Sequence, residues 1–158
     1  LRCFDYAQQP KDCKQKTMKN LINILHREGC SLVVEKDGEV SIYNQKGVRD
    51  LEHLLKCEPE KLRGARIADK VIGKAAAGIA VKGGVKELYT DVMSKKAAEL
   101  LDASDVKYTF AVMVDEIIIK EGDNRCPLEK IVDSATTADE VVETLWAHFD
   151  EMKNKHKA

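Results

Sequence analysis

The sequence predicts an α/β domain, a three-layer sandwich in which a mixed five-stranded sheet carries helices on both faces. Three observations predict it. An Asp-Gly pair separates two β-rich runs near the start, which calls for a hairpin. After residue 65, strand-like runs alternate with helical ones, the order of a largely parallel sheet. One of those helical runs, GKAAAGIAVKGG, is small and apolar enough to lie tightly against such a sheet.

Each element follows in order. Residues 1–16, LRCFDYAQQPKDCKQK, are polar and lack a sustained period, so they read as a flexible leader. TMKNLINILHREG places Met18, Leu21, Ile22 and Leu25 on one helical face and stops at Gly29. SLVVEKDGEVSIYN is the hairpin, turning at Lys36-Asp37-Gly38. GVRDLEHLLKC puts Val48, Leu51, Leu54 and Leu55 on one face, and Pro59 bars a long continuation. ARIADKVIG is a strand and GKAAAGIAVKGG a helix closed by a turn at Gly83-Gly84. VKELYTDVMS is a strand, SKKAAELLDAS a short helix, and VKYTFAVMVDEIIIK a long β-branched run bounded by Glu121-Gly122-Asp123. CPLEKIVDS begins with Pro127 in a first-turn position. Thr137-Ala-Asp-Glu140 is a capping box for the last helix, whose Val141, Val142, Leu145, Phe149 and Met152 form an apolar stripe. Trp146, the sole tryptophan, lies beside that stripe and is expected to pack the helix down. The expected division is a leader (1–16), an α/β domain (17–135), and a C-terminal amphipathic helix with a basic tail (136–158).

Composition narrows the function classes. Charged residues make up 34% of the chain, yet 26 basic side chains against 27 acidic ones nearly cancel, which argues against a general nucleic-acid binder or a membrane-surface protein. No apolar run approaches the about 20 residues that span a bilayer, and the N-terminus lacks the basic-then-apolar order of a signal peptide. A cytoplasmic location is expected. Five cysteines, Cys3, Cys13, Cys30, Cys57 and Cys126, occur without a C-x-x-C pair, which fits reduced thiols. The four histidines form no H-E-x-x-H or other metal spacing. The expectation is therefore no metal and no cofactor.

Two stretches carry candidate chemistry. In an open α/β sheet, ligands settle outside the carboxyl ends of strands, where helix N-termini offer free N–H groups. ADKVIGKAAAG, residues 68–78, is such a place. Gly73 permits close approach, Lys70 and Lys74 would neutralise an anion, and Asp69 would orient a lysine or a ligand hydroxyl. Asp69, Lys70, Gly73 and Lys74 are the candidate ligand-binding residues. The stretch contains neither a P-loop nor a dinucleotide fingerprint. The alternative is that Asp69 pairs with Lys70 or Arg66 at the surface and the small residues serve packing alone. The second stretch is DNRCPLEK, residues 123–130, where Cys126 immediately precedes a helix and its unpaired N–H groups favour the thiolate. Cys126 is the candidate nucleophile and Glu129 the candidate acid or base.

Together with EGCSLVVEKDGEV and GGVKELYTDVMS, the DKVIGKAAA block and the CPLEK turn make residues 18–132 resemble a prokaryotic family catalogued as domain of unknown function 1893. The resemblance implies a cytidine deaminase-like fold. Zinc deaminases carry an H-x-E or C-x-E segment and P-C-x-x-C, and this chain has neither. Where the second motif would open a helix stands VIGKAAA, in which no side chain can bind zinc. The expected function is a zinc-free pocket for a small anionic or nucleotide-like molecule, with catalysis left open. The alternative is a non-catalytic interaction module acting through its last helix or by self-association as a homo-oligomer.

Overall fold

The computed structural model describes residues 17–45, 48–117 and 127–157. Six α-helices and five strands follow in the order α1 (Thr17–Glu28), β1 (Leu32–Lys36), β2 (Glu39–Tyr43), α2 (Arg49–Cys57), β3 (Arg66–Ile72), α3 (Lys74–Gly83), β4 (Glu87–Ser94), α4 (Lys95–Asp102), β5 (Lys107–Val114), α5 (Pro127–Ile131) and α6 (Ala138–Lys157). The five strands form one sheet in the order β2-β1-β3-β4-β5. β1 runs antiparallel to both neighbours, and β3, β4 and β5 are parallel. This is the mixed sheet that the alternation of elements predicts.

The hairpin turns at Asp37 and Gly38, both with positive φ, the geometry that a two-residue turn between twisted strands requires. Leu32 then stands opposite both Tyr43 and Asp69, so the hairpin delivers the start of β1 to the carboxyl end of β3.

Helices cover the two faces unequally. On one face, α2 to α6 enclose a core that includes Leu51, Leu54, Ile67, Ile79, Leu88, Leu101 and Leu145. On the other, α1 packs Leu21, Ile24 and Leu25 onto Val33 of β1, Ala68 of β3 and Tyr89 of β4. The buried stripe of α1 includes Ile24, fully enclosed, while Met18 and Ile22 are only partly covered. α2 buries Leu51, Leu54 and Leu55, and Val48 just before it is buried as well, the four residues expected on that face.

α6 belongs to the larger core: Val141, Val142 and Leu145 are buried. Gly78 sets the approach of α3 to α6, since a Cβ there would lie 2.4 Å from Val141 Cγ1. The capping box forms as the sequence predicts, with Glu140 N–H donating to Thr137 Oγ1 at 3.1 Å and Thr137 N–H to Glu140 Oε1 at 3.3 Å. Trp146 packs partly buried against the core, its Nε1 enclosed without a hydrogen-bond partner among the described residues. Of the stripe, Met152 remains exposed.

The parallel strands share one irregularity. Ile67 and Ile72, Leu88 and Met93, and Tyr108 and Met113 all face the same core although each pair is five residues apart. Strict alternation would send such pairs to opposite faces. The alternation therefore slips once in each strand, around Lys70, Asp91 and Ala111, and the paired register skips those residues in step. The slip turns Val71, Val92 and Val112, which are in register with one another, onto the face that α1 leaves uncovered. β5 ends at Val114; residues 118–120 of the long β-branched run, the Glu121-Gly122-Asp123 that bounds it, and the 1–16 leader lie outside the described residues.

Candidate functional site

A recess of roughly 400 Å³ opens at the carboxyl end of β3, a volume in the range of small-molecule sites. The end of β3 supplies Asp69, Lys70, Val71 and Gly73, α3 supplies Ala75 and Ala76, and α5 supplies Leu128 and Glu129. Gly29 and Ser31 enter from the approach to β1, and Asn44 from the end of β2. A second recess of roughly 450 Å³, between α2 and α6, is lined by Arg49, His53 and Lys153 among others and includes no buried charged group. The first recess holds two.

Those two are Asp69 and Glu129, 7% and 6% exposed. Glu129 reaches across from α5 to the start of α3. Its Oε1 accepts from Lys74 N–H at 2.9 Å and its Oε2 from Ala75 N–H at 3.1 Å. The carboxylate thereby satisfies two of the orphan donors of the helix and meets its positive dipole end. Gly73 makes the seat available, since a Cβ there would lie 2.5 Å from Glu129 Oε2. The anion at this N-terminus is thus a side chain of the same chain.

Asp69 is held differently. Its Oδ1 accepts from Val71 N–H at 3.1 Å. Burial pushes its carboxyl from the ordinary 3.8 up to about 7, opposed by hydrogen bonds from the Val71 and Lys70 backbones and assisted by the charges of Asp50 and Asp91. At neutral pH it both holds and releases a proton, the condition for acid or base work. The surface pairing that the sequence leaves open does not occur: Asp69 is buried, and Arg66 pairs instead with Glu35 at 3.4 Å and Glu87 at 3.3 Å.

Lys70 lies exposed at the rim, its Nζ 3.4 Å from Gly29 O. The Lys74 side chain turns out of the recess, its Nζ donating to Asp133 O at 3.0 Å. It lines a separate hollow with Lys96, whose Nζ pairs with the Asp133 carboxylate. Of the sequence-derived set, Asp69, Lys70, Gly73 and Glu129 therefore share one recess. Cys126, and with it the distance from Cys126 to Lys74, lies outside the described residues.

Ser31 and Asn44 are recess residues that motif reasoning does not find. Ser31 Oγ lies 2.8 Å from Gln45 O and 3.1 Å from Tyr43 O, within reach of either for its one O–H, which ties the start of β1 to the end of β2. Asp50, also buried, accepts from Gln45 N–H at 2.9 Å and fixes the same corner. The hairpin was the available signal, but only the pairing of β1 with β3 puts its open end beside Asp69.

Among the described residues, no group of three or more His, Cys, Asp or Glu is arranged to hold a metal ion. No helix among them is long and apolar enough to cross a membrane. Cys30 is buried and Cys57 exposed, both as free thiols. Burial raises the pKa of the Cys30 thiol.

The sequence model of a family described as Domain of unknown function (DUF1893) matches residues 20–149. The chain belongs to that family. The match runs past Val132 into α6 as far as residue 149, so the part of this helix that packs into the core falls within the DUF1893 region. A crystal structure of a DUF1893 family protein from Thermotoga maritima superposes with a TM-score of 0.75 at 22% identity, covering 90% of this chain and 94% of that one. At that identity the likeness speaks for the DUF1893 fold alone. No curated protein matches the chain.

Proposed function

We propose that this DUF1893 chain binds a small nucleotide-like molecule in the β3 recess, with a polar ring against Asp69 and an anionic group at Lys70. The carrying observation is Asp69, a carboxyl that lines a recess of ligand size and whose burial pushes its pKa up to about 7. Such a group accepts a hydrogen bond when ionised and donates one when protonated, which suits the mixed donor and acceptor edge of a heterocycle. The charge of the recess favours this orientation over a bare anion: Asp69 and Glu129 are inside, Lys70 is at the mouth, and the first N–H groups of α3 are already held by Glu129. If the site is catalytic, Asp69 is the proton carrier, with Cys126 as nucleophile and Glu129 fixing the wall beside it. The strand order and the recess beside α3 support the cytidine deaminase-like reading of the fold, and the sequence lacks the motifs of its zinc chemistry.

The test is titration calorimetry with nucleosides, nucleoside monophosphates and inorganic phosphate. A monophosphate is expected to bind, Lys70→Ala to weaken it about tenfold through loss of one charge-assisted contact, and Asp69→Asn to abolish binding of monophosphate and nucleoside alike. Binding of phosphate as tight as that of the monophosphate, or no binding by any of the three, overturns the reading. A second reading, an interaction module that works by self-association, is favoured by the exposed outer edge of β5.

A further inference from the structure

We infer that the base held in the β3 recess is guanine, read along its Watson–Crick edge by Asp69 and Asn44. The inference rests on the nucleotide reading above and names the ligand of the same site. It follows from where the recess keeps its hydrogen-bond donors and acceptors. Val71 N–H donates to Asp69 Oδ1 at 3.1 Å, and the Lys70 backbone N–H also engages the carboxylate. Both are main-chain donors, and no side chain among the described residues donates to it. A carboxylate offers about four acceptor positions, so some remain for a ligand. Ser31 has one O–H, within reach of the Gln45 and Tyr43 carbonyls, so its Oγ offers a ligand lone pairs rather than a proton. Glu129 is a third acceptor, with both oxygens engaged by α3. The inner polar side chains therefore accept, and the donors, Asn44 and Lys70, stand exposed at the rim.

Among the common bases, guanine alone presents two adjacent donors, N1–H and N2–H, beside an acceptor, O6. A carboxylate takes the two donors as a bidentate, charge-assisted pair, and an amide donates to O6. Adenine and cytosine set a ring-nitrogen acceptor against the carboxylate, and uracil sets a single donor between two carbonyls. The strand register supplies the span. Tyr43, Leu32 and Asp69 lie in one row across β2, β1 and β3, so the end of β2 stands two strand spacings, roughly 10 Å, from Asp69. A base fits between short side chains at that separation. Ala75 and Ala76 leave room for its ring, and Val48 and Leu128 give it apolar contact. The pairing needs an ionised Asp69, because the protonated acid sets a donor beside an acceptor and suits adenine instead. Burial pushes that carboxyl up to about 7, and the charges of Asp50 on α2 and Asp91 on β4 add to the effect. Glu129 of α5 and Lys70 share the recess, and the neighbouring Cys30 thiol is kept protonated by burial.

Titration calorimetry of the full chain with guanosine, inosine, adenosine and cytidine monophosphates tests the assignment. At about pH 8 the guanosine compound is expected to bind tightest and the inosine compound about tenfold weaker, through loss of the N2 donor. The adenosine and cytidine compounds should bind about a hundredfold weaker, with an acceptor facing the carboxylate. Between about pH 8 and pH 6 the ratio of guanosine to adenosine affinities, in which titration of the shared phosphate cancels, should fall about tenfold as Asp69 takes up its proton. Asn44→Ala, at an exposed position, should weaken the guanosine and inosine compounds alike by about fivefold, since both carry O6, with the circular dichroism spectrum unchanged. Adenosine or cytidine monophosphate as tight as guanosine monophosphate at pH 8, a ratio indifferent to pH, or Asn44→Ala without effect overturns the inference while the nucleotide reading stands. Binding by none of the compounds overturns both.

Discussion

Two walls of the same recess bury a carboxylate to nearly the same extent and use it in opposite ways. On the α5 wall, Glu129 accepts two backbone N–H groups from α3 and sits at a positive helix end. On the β3 wall, Asp69 lies where burial outweighs its hydrogen bonds and moves its pKa up to about 7. Burial alone therefore says little about what a carboxylate does. Its partners decide whether it locks the fold or keeps a proton available.

Breaking the α5 wall should have the largest effect. Glu129→Ala leaves the Lys74 and Ala75 N–H groups unpaired beside a new void, a loss of about 3 kcal/mol, measured by urea unfolding at neutral pH. Gly73→Ala attacks the same seat from the other side and should cost about 2 kcal/mol through overpacking. Combined with Glu129→Ala, it should cost far less than the sum, because the group its Cβ strikes is gone.

The β3 wall should respond with the opposite sign. An acid whose folded pKa lies above its unfolded value contributes stability in full below about pH 4 and loses it as the pH rises toward 7, since the unfolded chain gives up its proton first. Asp69→Asn removes that penalty and can still accept from Val71 N–H. It should raise stability at pH 8 by about 2 kcal/mol and change it little at pH 4. Melting curves across that range decide the matter, and a destabilised variant at pH 8 would mean that the Asp69 carboxylate is well solvated. The smallest effect is expected away from the recess. Thr137→Ala removes the α6 cap for about 1 kcal/mol and should leave the pH dependence assigned to Asp69 unchanged.

The elements themselves were legible because their signals are local. The Asp37-Gly38 turn, the buried face of α2 and the Thr137–Glu140 capping box each depend on residues within about two helical turns or a hairpin, and each formed as read. The site was legible in part. Asp69, Lys70, Gly73 and Glu129 were recognisable as chemistry-bearing residues at strand and helix ends, and they do line one recess. Lys74 was misjudged in direction, because its side chain answers to the Asp133 carbonyl 59 residues later. The slip at Lys70, Asp91 and Ala111 left no mark in the pattern of any single strand, since it is shared by three strands in register.

The number and order of the elements, the absence of deaminase zinc motifs and the small residues that let α3 sit close to its neighbours can all be read along the chain. Periodicity, turn chemistry and side-chain volume act over short stretches of chain, so they can be read there. Tertiary structure decided which carboxylate meets the α3 N-terminus, that Asp69 is buried rather than paired at the surface, and that the open end of the hairpin completes the recess. Those outcomes rest on contacts between segments tens of residues apart, whose electrostatics depend on burial that no local pattern encodes.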